Sequence, residues 1–191
     1  MTRTRLSRAD RYDQLIEVSW GLVRREGADA LTLGRLAEHA GVAKPVVYSH
    51  FPSRAELLAA LFREFDGRQT VMLEEYLNAA ERTLAGRAGA IADSYVGCVL
   101  AQGRELTGVL AALEGSPELE RVKRESEHAY AEKCRAVLAP FVGSEGVSTA
   151  SLTAIFGAAE SLSHAAAASA LTPEQARSEL AALIVAVVDR A

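Results

Sequence analysis

Around Gly41 the chain has little choice of shape. Leu33 to Ala40 and Lys44 to His50 carry apolar residues at helical spacing, and the glycine between them accepts the left-handed backbone that closes a first helix and opens a turn. Thr32 stands where a hydroxyl caps that first helix. Two short helices that cross at such a turn need a small residue where they touch and an aliphatic one to fill the angle. Ala37 and Val47 meet those needs, with Leu36 and Val42 as further core, so the segment predicts a helix-turn-helix. The exposed side of its second helix offers Lys44, Pro45, Val46, Tyr48, Ser49 and His50. That set combines a cation and hydroxyls suited to phosphates with apolar groups suited to thymine methyls. The same spacing also serves an ordinary helical hairpin that never meets DNA, and both readings stay open on spacing alone.

The rest of the chain reads as helix with conventional punctuation. A first helix from about Arg8 to Arg25 has Ser7 as its cap, Gly27 as its stop, and Tyr12, Leu15, Ile16, Ser19, Leu22 and Val23 on one face. Ser53 followed by Glu56 is a capping box, opening a long helix expected to reach about Leu84, with Gly67 as its weakest point. Further helices are expected at Arg87 to Gln102, Glu105 to Leu113, Ser116 to Leu138 and Ser148 to Leu171. Thr172-Pro173-Glu174-Gln175 then starts a last one. The expectation is an all-α fold of about nine helices, with a DNA-binding domain over residues 1–53 and a second helical domain over 54–191.

Apolar residues make up 49% of the 191 residues and aromatics only 6%, enough for a core and poor in strand formers. Residues 1–9 lack the apolar stretch of a secretory signal, and no run approaches the roughly 20 apolar residues of a membrane span, so a cytoplasmic protein with no membrane partner is expected. Cys98 and Cys134 have no metal-binding spacing and read as reduced thiols. The net charge is −4, but its distribution is uneven. Residues 1–54 hold nine Lys or Arg against six acids; the remainder holds twelve against nineteen. A basic end on an acidic body suits a small DNA-facing region, as it suits an ordinary solvated surface.

The string from Leu31 to Leu58 resembles the N-terminal signature of TetR-family regulators. It shares a Thr opening the second helix, the Ala37-x-x-x-Gly41-Val42 turn, Tyr48-x-His50-Phe51, and Arg54 followed by Glu56-Leu57-Leu58. The resemblance implies that Lys44, Pro45 and Val46 read bases and that Thr32, Tyr48, His50 and Arg54 hold phosphates. Three features depart from the common pattern. Ala43 stands where a serine often caps the recognition helix, Gly34 where some members carry a base-reading side chain, and Pro45-Val46 where small or hydroxyl residues are commoner. These push readout towards apolar contact with thymine.

The resemblance further implies a C-terminal body that binds a small-molecule effector, and a homodimer formed through the last two helices on a double-stranded operator. The apolar stripes Leu152, Ile155, Phe156, Ala159, Leu162 and Leu180, Leu183, Ile184, Val187 serve such an interface or an intrachain core equally well. Candidate effector contacts are Phe65, Tyr95, Gln102, Tyr130, Phe156 and Glu160. Glu160 and His164 share a helical face without a third ligand, so no metal is expected, and no cofactor. Nucleophile elbow, phosphate loop, dinucleotide fingerprint and zinc-protease motif are all missing from the sequence, which excludes a recognisable enzyme. A helical protein-interaction module is the remaining alternative to a ligand-responsive repressor.

Overall fold

The computed structural model describes residues 6–113, 117–143 and 146–190, without the side chains of 102–107, 113 and 117–119. Among the described residues it is all helix: eight α-helices, two 3-10 turns and no strand. The chain divides into two compact units, one of residues 1–65 with Arg104–Arg124, the other of Asp66–Gly103 with Glu125–Ala191. A cut at residue 53 marks the start of a helix, but the first compact unit runs on through that helix to Phe65. The packing residues Leu57, Leu58 and Leu61, at most 1% exposed, explain why.

In the first unit, α1 (Arg8–Glu26) starts at a capping box in which the Ser7 hydroxyl accepts from the Asp10 amide and Asp10 accepts from the Ser7 amide. It ends at Gly27, φ 82°. Leu15, Ile16, Ser19, Trp20, Leu22 and Val23 form its buried side. Tyr12, expected on that face, sits at its edge, 36% exposed. A 3-10 turn (Ala28–Ala30) leads to α2 (Leu33–Ala40) and α3 (Lys44–Tyr48). The latter is shorter than the sequence suggests, because His50 and Phe51 donate their amides to Val47 in a closing turn.

Helix α4 (Arg54–Ala79) begins where the Ser53 hydroxyl accepts from the Glu56 amide. It stops five residues short of the expected Leu84, and it runs unbroken past Gly67. The reason lies downstream. Thr83 Oγ1 accepts from the Gly86 amide and the Thr83 carbonyl accepts from Arg87, an N-cap that starts α5 (Leu84–Leu113) and forces a turn before it. The two helices expected at Arg87 to Gln102 and Glu105 to Leu113 are this one continuous helix; Gly103 is no breaker when the flanking residues all favour helix. Next come α6 (Pro117–Leu138), a 3-10 turn at Ala139–Phe141, α7 (Thr149–Ala167) and α8 (Pro173–Val188). Ser116, the expected cap of α6, lies outside the described residues.

Helices α7 and α8 begin at the expected Ser148 and at the Thr172/Gln175 capping box. Their stripes are intrachain core in large part: Leu152, Ile155, Ala159, Leu180, Ile184 and Val187 are buried within the second unit's own cluster, and Phe156, Leu162 and Leu183 are partly buried against it. Among the described residues no helix is long and apolar enough to cross a membrane, and no cluster of His, Cys, Asp and Glu there suits a metal.

Candidate nucleic-acid interface

The turn between α2 and α3 is closed on the backbone itself. Gly41 has φ 64° and ψ 36°; its amide donates to Glu38 and the Val42 amide reaches back to Ala37, the paired bonds that end a helix in a left-handed glycine. Any side chain at Gly41 meets the steric penalty of that conformation. Leu36 and Val47 are fully buried and Ala37 is 2% exposed, so the small residue sits at the crossing and the valine fills the angle. The sequence pattern and the geometry agree at Leu36, Ala37, Gly41 and Val47, while Val42, expected as further core, is only half-buried.

With Val47 directed inward, Lys44, Pro45 and Tyr48 are exposed on the other side of α3, Tyr48 to 52%, and Val46 is half-buried. Ala43 gives α3 no side-chain cap, and Pro45 occupies its first turn without an amide to satisfy. Gly34 stands beside this surface. A Cβ built on it lies 3.9 Å from Cε of Lys44 and 3.9 Å from Oγ1 of Thr32, ordinary contact distances, so an alanine would fit there beside the Lys44 stem.

Three of the expected phosphate holders have other work as well. Thr32 is exposed, and its hydroxyl accepts from the Arg35 amide as the cap of α2. Arg54 donates from Nε to the Leu31 carbonyl and from a terminal nitrogen to the Ala28 carbonyl, both at 2.8 Å, with Asp29 at 3.8 Å. It ties down the 3-10 turn that leads to Thr32. His50 is half-buried; partial burial, followed by the positive charge of Arg8 and Arg11, pushes its pKa below the usual 6.5.

The sequence reading missed the support that α1 lends to this surface. Tyr12 packs its ring at 5.4 Å from Phe51 and 6.2 Å from His50, and Arg8 donates to the Ser49 carbonyl at 3.4 Å. Arg8 and Tyr12 lie four residues apart, one turn of helix, so spacing puts both on one edge of α1, but it does not say that this edge meets Ser49 and Phe51. Trp20, also unassigned, is 3% exposed and donates Nε1 to Glu64 at 2.7 Å.

The expected effector contacts fall into two places. Phe65 belongs to the first unit, 6% exposed and 6.4 Å from the ring of Phe62. In the second unit Tyr95, Tyr130 and Phe156 form a closed ring trio with centroids 5.7 to 6.4 Å apart. The Tyr130 hydroxyl lies 3.5 Å from Ser94 Oγ, which donates to the Ile91 carbonyl. Burial, then the nearby Glu160 carboxylate, pushes the Tyr95 phenol up to about 12; burial pushes the Cys134 thiol up to about 12 and the Cys98 thiol to about 11. Glu160 itself is exposed, and the Gln102 side chain lies outside the described residues.

Residues 15–61 match the family model for bacterial regulatory proteins of the tetR family. Among solved structures, a protein of Pseudomonas aeruginosa PAO1 described as a transcriptional regulator superposes with a TM-score of 0.81 at 17% identity, covering 97% of this chain and 94% of that one. A transcriptional regulator from Rhodococcus sp. Rha1 gives 0.75 at 19% identity, covering 94% and 96%. The transcriptional regulator FadR from Bacillus subtilis, solved with stearoyl-CoA, gives 0.73 at 18% identity, covering 93% and 99%.

Proposed function

We propose that this chain, whose residues 15–61 match the model of the tetR family of bacterial regulatory proteins, is a transcriptional regulator of that family rather than an enzyme, and that it binds a palindromic operator as a cytoplasmic homodimer, represses from it, and is released by a small-molecule effector. The observation that carries this reading is the α3 surface: Val47 is fully buried while Lys44, Pro45 and Tyr48 stand exposed on the opposite side of the same short helix. Such a helix, fixed by a closed glycine turn and presenting one cation, one phenol and apolar edges, fits a major groove.

Lys44, Pro45 and Val46 approach the bases; Thr32, Tyr48 and His50 take phosphates, and Arg54 acts mainly by holding the turn that positions Thr32. The homodimer uses the faces of α7 and α8 that the intrachain core leaves open, including exposed Gly157 and partly buried Leu183. The two copies of α3 then sit about 34 Å apart, one turn of the duplex. The effector engages the Tyr95, Tyr130 and Phe156 trio and prefers an arrangement of the body in which that spacing is lost, a population shift. The stearoyl-CoA bound to the Bacillus subtilis FadR supports a ligand role for a body of this fold.

Gel shifts on the DNA flanking the chain's own gene, with salt dependence, test the proposal. Binding that falls about 100-fold in Lys44→Ala with Tyr48→Ala at unchanged helicity is expected if two phosphate and base contacts are removed. Retention of full affinity in that double variant, or no binding by the parent chain, returns the hairpin to a protein-interaction module.

A further inference from the structure

The second unit holds a cleft of about 410 Å³ lined by Leu77, Arg82, Arg87, Val137, Pro140 and Phe141, away from the aromatic trio in sequence and in lining. Its composition is unusual for an acidic chain. Four of the six lining residues are apolar, and the two polar ones are both guanidinium groups. Among the described residues Arg82 makes no hydrogen bond or ion pair, and Arg87 meets a carbonyl, not a carboxylate: it donates to Leu77 at 2.6 Å. In a protein with 25 acids against 21 bases, two arginines on one apolar cleft with no carboxylate against either leave positive charge unbalanced there.

The cleft is built, not incidental to a loose loop. Leu77 contributes one of the last carbonyls of α4, which no helical amide can reach, and Arg87 satisfies it from the first turn of α5. Thr83 caps α5 through the Gly86 amide at 3.1 Å. The Glu81 carbonyl lies 2.5 Å from where a Cβ on Gly86 would stand, so the turn carrying Arg82 closes only because residue 86 is glycine. Pro140 limits the backbone on the facing side, between Val137 and Phe141.

We infer that this cleft is a binding site for an amphipathic monoanion: an alkyl chain lying on Leu77, Val137, Pro140 and Phe141 with its carboxylate met by Arg82 and the remaining donors of Arg87. Charge complementarity selects the head, since a planar guanidinium fork matches a carboxylate, and the apolar floor selects the tail. The volume lies within the range of small-molecule sites. The inference concerns the second unit alone and does not depend on DNA binding.

Isothermal titration of the full chain with acetate, octanoate, decanoate and octylammonium tests it. Octanoate binds and acetate does not; decanoate binds about fifteenfold tighter than octanoate, at about fourfold per buried methylene; octylammonium is rejected. Arg82 is exposed and supports nothing else, so Arg82→Gln folds as the parent does and loses about fivefold in decanoate affinity, while Arg82→Glu abolishes it. Val137→Trp fills the cleft and removes binding; where that variant fails to fold by circular dichroism, the Arg82 pair decides alone. Equal binding of octylammonium and octanoate, or decanoate affinity unchanged in Arg82→Glu, overturns the proposal.

Discussion

The two units of this molecule differ in the polar groups at their centres, not in how their helices are capped. In the first, Ser7, Thr32 and Ser53 cap helices, Arg54 ties two carbonyls and Arg8 meets Ser49; the second has its own caps at Thr83, Ser148 and Thr172. In the second, the polar groups at the centre are hydroxyls and thiols among rings, with Tyr130 at 5% and Cys98 and Cys134 at 1% exposure. One unit adds directed bonds around a short hairpin to its apolar core. The other is held by apolar burial between long helices, which tolerates change in shape and volume better than a bond tolerates loss. A recognition surface needs the former, and a body that accommodates ligands needs the latter.

Core truncation is the largest effect and the control on that contrast, because both units depend on burial. Leu36→Ala in the first and Leu180→Ala in the second remove side chains that are fully buried, and each is expected to cost about 3 kcal/mol. Denaturant melts give the size and amide exchange gives the place, with lost protection centred on α1 to α3 in the first case and on α7 and α8 in the second. A cost below about 1 kcal/mol at either site means that the surrounding core collapses into the space.

Polar deletions should separate the units. Arg54→Met keeps the alkyl stem and drops both bonds to Ala28 and Leu31, leaving two carbonyls short of a donor; the expected loss is about 1 to 2 kcal/mol, discounted because the side chain is 37% exposed. Tyr130→Phe removes a hydroxyl whose neighbour Ser94 keeps its bond to Ile91 at 3.0 Å, so it should cost no more than about 0.5 kcal/mol. Equal losses in thermal melts of the two variants break the comparison. An effector that binds parent and Tyr130→Phe alike also limits the phenol to packing.

This asymmetry explains what could be read from the residues alone. Caps, the glycine turn and the buried face of α1 depend on partners within four or five positions, so Ser7, Thr32, Gly41 and Ser148 declare their roles in the string. The early end of α4 was within reach of the string, since Thr83 caps Gly86 and Glu81 crowds it within five positions; the fusion of two expected helices into α5 turns on packing along its whole length, which no local window contains. The candidate DNA surface was legible except for its buttress: Arg8 and Tyr12 touch residues some forty positions on, a distance that periodicity cannot bridge. The ring trio was legible only as three separate names.

Ala43→Ser sharpens the account of the hairpin at smaller scale. The α3 cap offers no side-chain acceptor; the Val46 amide now donates to the Ala43 carbonyl at 2.9 Å, and a serine oxygen at 43 gives that N3 amide the side-chain acceptor of an ordinary N-cap. Stability should rise by about 0.5 to 1 kcal/mol, seen as a higher midpoint in urea. A neutral result means that the proline has already set the first turn and that capping adds nothing to it.

The smallest effect comes from His50, where folding and DNA binding should respond to pH in opposite directions. Its pKa lies below 6.5 because partial burial and then Arg8 and Arg11 disfavour the charged ring. The unfolded chain therefore takes up the proton first. The stability that His50 contributes is fully present above 6.5 and is lost as pH falls through that value towards the lowered one. Phosphate at the same ring favours the charged form instead, so operator binding takes up a proton and affinity rises as pH falls over the same window. Binding isotherms and melts at pH 7.5 and 6, with His50→Gln as reference, should show both slopes vanish in the variant. Two slopes of the same sign in the parent place the ring away from phosphate and leave His50 as a packing residue between Tyr12 and Phe51.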